Sequence, residues 1–271
     1  MVFEVHPEFS EPDSGDAIIW RYMDLAKFLS LIDRQALYFS RLDKLSKLDP
    51  FEGYYTTANL ASDNLSFNDI PDEWKQGDNG IKDEKTFNMI KESNRLIRQF
   101  VKSNRAVTFI NSWHAQDHES AAMWSQYLQS NDGIAIQTSY KKLVKSFSSY
   151  DEYQIHIGMM KYIDYETEAI PMGNLLSPFM YKRKSFEHDR EIRCLIWTPQ
   201  HGKNDPTNPE NNKYKDIGGI YVPVQLDVLI EKIYLAPTAP EWIHELLESL
   251  VGRLGLQKEV VLSRLASVPM Y

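Results

Sequence analysis

The sequence predicts an α+β fold: a single domain over 17–271, with a mixed or antiparallel sheet packed by helices. Three observations carry that expectation. The 271 residues, 42% hydrophobic and 12% aromatic, are enough for one large core or two small ones. The first forty residues already read strand, helix, strand. The run YKRKSFEHDREIRCLIW, 181–197, sets Asp189, Glu191 and Arg193 at every second position and then passes into Cys194, Leu195, Ile196 and Trp197, as a strand entering a core does.

Taken in order, residues 1–16 are rich in Glu, Asp, Pro and Ser and read as a flexible leader. Ile18, Ile19 and Trp20 open a strand that continues through Arg21 and Tyr22. Asp24 is placed to cap a helix from Leu25 to about Arg34, where Leu25, Phe28, Leu29 and Ile32 recur at helical spacing. ALYFS, 36–40, is the second strand, carrying Tyr38 and Ser40. Asp49-Pro50 marks a turn that either displays Asp49 and Glu52 beside a cleft or starts a helix capped by Asp49. The polar stretch 61–82, with its Pro and Gly residues, suggests a lid; with the long helix expected over 83–104 it makes an insertion at 61–104. That helix should turn Phe87, Ile90, Leu96, Ile97, Phe100 and Val101 inward.

AVTFINSW, 106–113, is the next strand. Asp117 should cap a helix through Met123, Trp124 and Tyr127, in which Met123 meets Tyr127 and Trp124 meets Leu128. Gly133 should end it in the left-handed conformation. Ile134, Ala135 and Ile136 then begin a strand at the centre of the core. The expected order continues with a helix at 140–147, a strand near 156–163, loops at 170–177 and 199–216, and strands at 221–225 and in the second half of 228–235. A helix from Pro240 should face Trp242, Ile243, Leu246, Leu247 and Leu250 inward, and a strand at 260–265 closes the chain.

The formal net charge of −8 disfavours broad nucleic-acid binding. The densest basic stretch, Lys182, Arg183 and Lys184, is expected to be solvated at the start of a strand. A single cysteine, Cys194, excludes an internal disulfide and reads as a small buried hydrophobe. No signal peptide and no membrane-spanning run is visible, so the cytoplasm is the expected location and no membrane partner is expected. There is no GxSxG elbow, Walker loop or GxGxxG fingerprint. His114 and His118 stand four apart, but HAQDH lacks the Glu of zinc-protease patterns and falls in a strand-to-helix link, so no metal is expected. Two carboxylates beside one guanidinium, Asp189, Glu191 and Arg193, can keep one carboxylate ionised and aimed; they can equally form an ion-paired strand face without chemistry.

WRYMDL, ALYFSRLDKLSKLDPFEG, AMWSQYLQSNDGIAI, KYIDY and YKRKSFEHDREIRCLI occur in that order, and together they resemble the bacterial domain-of-unknown-function family 2971 from about Ile18 to about Leu250. The chain departs from that pattern at Gln126, where His is frequent, and at Phe186, where Trp is common. A strand with Arg21, a helix, a strand with Ser40 and a late strand with an acidic-x-Glu pair also resemble the three-part pattern of ADP-ribosyltransferases. That resemblance implies NAD as substrate. It implies Arg21, with Tyr22 beside it, holding the dinucleotide, Tyr38 or Ser40 packing the nicotinamide side, and Glu191 with Asp189 stabilising the positive charge that develops on the ribose. It also implies a macromolecular acceptor and a toxin or phage-defence setting. Asp49, Glu52, Trp124, Tyr127, Lys184 and Arg193 are further cleft candidates. Two other classes stay open: a non-catalytic module binding a nucleotide, small molecule or protein, and a metal-dependent nuclease-type effector built on Asp49, Glu52, Asp189 and Glu191.

Overall fold

The computed structural model describes residues 6–45, 49–77, 80–127, 131–198 and 213–267, the side chains of Ser62 and Tyr127 excepted. Its elements are β1 (Ile18–Met23), α1 (Leu25–Arg34), β2 (Ala36–Arg41), α2 (Thr57–Ala61), α3 (Asp72–Lys75), α4 (Glu84–Asn104), β3 (Thr108–Ala115), α5 (Ala121–Tyr127), β4 (Ile134–Ser139), α6 (Tyr140–Ser146), β5 (His156–Met159), β6 (Lys161–Ile163), β7 (Tyr181–Arg183), β8 (Glu191–Trp197), β9 (Gly219–Pro223), α7 (Leu226–Leu229), β10 (Lys232–Leu235), α8 (Glu241–Arg253) and β11 (Glu259–Leu262). The architecture is a single α+β domain around a mixed sheet. Among the described residues that sheet has nine strands, in the order β11-β10-β4-β1-β3-β2-β9, with β8 between β3 and β5. β10 and β11 run parallel and the other pairs of this sheet antiparallel; β6 and β7 form a separate parallel pair.

Local chemistry explains the first unit. Asp24 Oδ1 accepts from Lys27 N at 2.7 Å and caps α1, and Gln35 takes φ 49° to end it. β2 follows at once. β1 and β2 then share one edge of β3 without pairing to each other. β1 meets β3 at His114 and Ala115, and β2 meets it at Phe109 and Ile110. Asn111, Ser112 and Trp113 are left between them. Side chains take over the bonds a strand would have made: Arg21 Nη1 donates to Ser112 O at 2.6 Å and Asn111 Nδ2 donates to Tyr38 O at 2.9 Å. The sheet is therefore split at its middle.

Period-two alternation separates the two faces. One face, with Ile19, Phe39, Phe109, Ile136, Cys194 and Ile233, packs against α1, α6, α7 and α8 in the largest core cluster. Among the described residues, the other face is covered at two places. Leu42, Ile110, Phe179 and Leu195 belong to a cluster with the chain around 160–181, and Trp20 and Tyr22 belong to one with Met123 and Trp124 of α5. Between these covers the second face carries its polar residues.

Several elements differ from expectation. Residues 49–54 form a turn and no helix. Ser120, not Asp117, starts α5: Ser120 O accepts from Trp124 N at 3.0 Å. Gly133 is not among the residues with positive φ. Of the six α4 residues expected inward only Phe87 and Val101 are buried, while Ile90 and Leu96 are exposed; on α8, Trp242 and Leu246 are exposed. In both helices the neighbouring elements cover a narrower stripe than the apolar residues mark out. Residues 6–16 are held rather than loose: Phe9 is buried, stacks on His156 at 5.0 Å, and leaves room at Gly158 for no side chain, since a Cβ there would lie 2.8 Å from Phe9.

Candidate functional site

The split in the sheet opens a cavity of about 690 Å³, within the size range of small-molecule sites. Arg21 and Tyr22 of β1, Tyr38 and Ser40 of β2, and Glu191 and Arg193 of β8 all line it, as do Asp49, Glu52 and Asp189. Nine of the twelve residues singled out in the sequence thus meet at one place. The other three do not. Trp124 is buried behind Tyr22, their rings 4.9 Å apart, and forms no part of the wall. Lys184 is exposed and lies off the cavity. The Tyr127 side chain and Leu128 lie outside the described residues, so the expected pairs on α5 do too. None of the described residues of 61–82 lines the cavity.

Asp189 does not share the strand with Glu191. It ends a 3-10 turn, 184–189, and Arg190 takes φ 41° before β8 begins. Glu191 and Arg193 do share one strand face. The Glu191 carboxylate is buried: Oε1 accepts from Ser112 Oγ at 2.6 Å and from Arg193 Nε at 2.7 Å, and Oε2 lies 2.7 Å from Lys182 Nζ. Its backbone N donates to the Tyr162 hydroxyl at 2.8 Å. Burial alone would raise its pKa, but Arg193 and Lys182 outweigh that and hold the carboxyl far below the usual range. Glu191 is therefore an ionised acceptor and a poor proton donor or base at neutral pH.

Arg193 uses its whole fork. Beside Glu191 it meets Glu52 through Nη2 and donates from Nη1 to Phe179 O at 2.7 Å. Glu52 reaches it because the turn 49–54 closes tightly at Gly53. Gly53 has φ 75°, and a Cβ there would stand 2.8 Å from Leu42 Cδ2. Arg183 Nη2 pairs with Asp49 Oδ1 at 2.8 Å and stacks over Phe51. Lys182 bridges Asp189 Oδ2, at 3.0 Å, and Glu191. Burial would depress its ammonium, yet Glu191 and Glu52 push its pKa well above the ordinary value. Lys182 is thus not a solvated strand-start residue but a cation held inside the site, while Arg183 stays partly exposed and pairs with Asp49. Four carboxylates, Asp49, Glu52, Asp189 and Glu191, face Lys182, Arg183 and Arg193, and with Arg21 on the same cavity the formal charges balance.

Sequence reasoning missed Lys182, Ser112, Tyr162 and His114 as members of the site. His114 Nδ1 donates to Asp189 O at 2.7 Å, and Nε2 lies 2.8 Å from Gln116 Oε1. His114 and Glu191 face each other across β3 and β8. The alternation of β3 could have put Ser112 and His114 on one face; nothing in the sequence told which strand would lie beside them. Among the described residues no three His, Cys, Asp or Glu side chains gather as a metal site. No described helix is long and apolar enough to cross a membrane.

Compared with protein-family models, with curated proteins and with solved structures, the chain matches none.

Proposed function

We propose that the cavity takes a nicotinamide dinucleotide, and that the chain is an NAD-dependent ADP-ribosyltransferase-like enzyme. One observation carries this reading: Arg21, Ser40 and Glu191, far apart in sequence and on three different strands, all line the same cavity. Glu191 suits the chemistry because it is ionised and fixed. As the ribose C1′–N bond breaks, its electron pair leaves with neutral nicotinamide and positive charge develops on the ribose. A preorganised, ionised carboxylate stabilises that charge without reorganising. The acceptor nucleophile then bonds to C1′ and releases its proton to solvent. Arg21, bonded to the open edge of β3, is suited to hold the pyrophosphate. An ion cluster this buried is weak evidence for stability, since apolar residues often serve as well; its place on a cavity wall favours a functional role.

A non-catalytic nucleotide-binding module is the second reading. It is favoured by the fact that both Glu191 oxygens already have protein partners, Ser112, Arg193 and Lys182. Titration calorimetry with NAD, followed by assay of released nicotinamide, separates the two. The enzyme binds and releases; the module binds only. Absence of binding at millimolar NAD removes the enzyme and leaves a module for another ligand standing.

A further inference from the structure

Beyond the ionic floor, the cavity has a second chemical character at its rim. Tyr38 on β2 and Tyr221 on β9 stand opposite each other across the ladder, their ring centroids 5.0 Å apart and tilted by 59°. Both line the cavity and are 38% and 44% exposed, on the outermost pair of strands at that end of the sheet. Each ring is held from behind. Tyr38 lies across the backbone of Gly219: a Cβ there would stand 2.6 Å from Tyr38 Cζ and 2.7 Å from its hydroxyl. Tyr221 has the Arg34 guanidinium 4.3 Å from its ring centroid, and its hydroxyl is 3.3 Å from Ser30 Oγ. The glycine is thus what allows one ring to lie down, and α1 holds the other.

We infer that Tyr38 and Tyr221 form a stacking platform for the adenine base of an adenine nucleotide at the mouth of the cavity. The inference rests on the dinucleotide reading above and specifies which end of the ligand lies where. A planar base stacks on one of these half-exposed faces and meets the other ring, tilted by 59°, at its edge. Charge selects the base. The oxidised nicotinamide ring is cationic and is disfavoured beside Arg34, 4.3 Å from the Tyr221 ring, whereas the wall that carries the Glu191 carboxylate suits it better. Neutral adenine belongs at the rim. This orientation departs from the one the ADP-ribosyltransferase resemblance implies, in which Tyr38 packs the nicotinamide side.

The test is titration of the full chain with AMP and, separately, with nicotinamide mononucleotide. AMP is expected to bind the wild type. Tyr221→Ala and Tyr38→Ala should each weaken AMP by about ten- to a hundred-fold, the range typical of losing one base-stacking ring. Tyr221→Phe, which keeps the ring, should restore AMP binding, a result that a general folding defect would not give. Nicotinamide mononucleotide should change by less than about three-fold in the tyrosine variants. Unchanged AMP affinity in both alanine variants overturns the platform, as does failure of AMP to bind the wild type, or a loss confined to nicotinamide mononucleotide. If AMP binds through Tyr221 and NAD is never cleaved, the platform stands and the transferase reading falls; if NAD is cleaved and AMP ignores both tyrosines, the reverse holds.

Discussion

Lys182 Nζ lies 2.7 Å from Glu191 Oε2, on the side of the carboxylate away from Arg193, whose Nε lies 2.7 Å from Oε1. The carboxylate is clamped between two buried cations. This single arrangement decides what Glu191 can and cannot do, and most of the expected behaviour of the molecule follows from it.

Arg193→Ala removes the fork that joins Glu191 and Glu52 and leaves both carboxylates buried with one partner fewer. Breaking a buried ion pair from one side typically destabilises by about 3–5 kcal/mol. Urea unfolding should show a loss of that order. A change below about 1 kcal/mol would mean that the cluster is open to water.

The pH dependence has a definite sign. The folded-state pKa of Glu191 is depressed from its ordinary 4.5, because Arg193 and Lys182 overcome the effect of burial. Its contribution to stability is therefore fully present above pH 4.5 and is lost as pH falls toward the folded value. Tyr22 has the opposite sense: burial chiefly, opposed by the Ser120 amide and reinforced by Glu119, raises its phenol from 10.0 to about 12. Its contribution is present below pH 10 and fades as pH rises to about 12. Melts of the wild type against Glu191→Gln should converge in acid, and melts against Tyr22→Phe should converge between pH 10 and 12. Parallel melting curves across those windows would contradict the assignments.

Trp124 closes α5 onto the sheet at 2% exposure, edge-on to Tyr22, with its Nε1 donating to Glu119 Oε2 at 3.1 Å. Trp124→Ala should lower stability by about 3–5 kcal/mol and the melting temperature by several degrees. Because Tyr22 loses its support, nucleotide affinity should fall as well. An unchanged melt would contradict the packing.

The local elements were legible in the sequence and their assembly was not. Asp24, the helical spacing of α1 and the apolar runs of β1, β2 and β8 were enough to read those elements near their true bounds, because caps and periodicity are local. The convergence of Arg21, Ser40 and Glu191 rests on β3, whose edge is shared by β1 and β2, and no local signal encodes that register. Lys182 looked like a surface cation because its burial depends on Asp189 and Glu191, which a turn and an αL residue at Arg190 bring back beside it. Phe9 looked like part of a leader because the glycine that receives it, Gly158, is 149 residues away in sequence.

The central claim is that a fixed, ionised Glu191 supports cleavage of a bound dinucleotide. The most direct measurement is nicotinamide release from NAD by the wild type and by Glu191→Gln, with NAD affinity measured in parallel. The substitution keeps the size of the side chain and removes its charge. The account predicts NAD binding by both proteins, release by the wild type, and a rate in the variant lower by about a hundred- to a thousand-fold. Release at the same rate from both, or binding without release by the wild type, would contradict it.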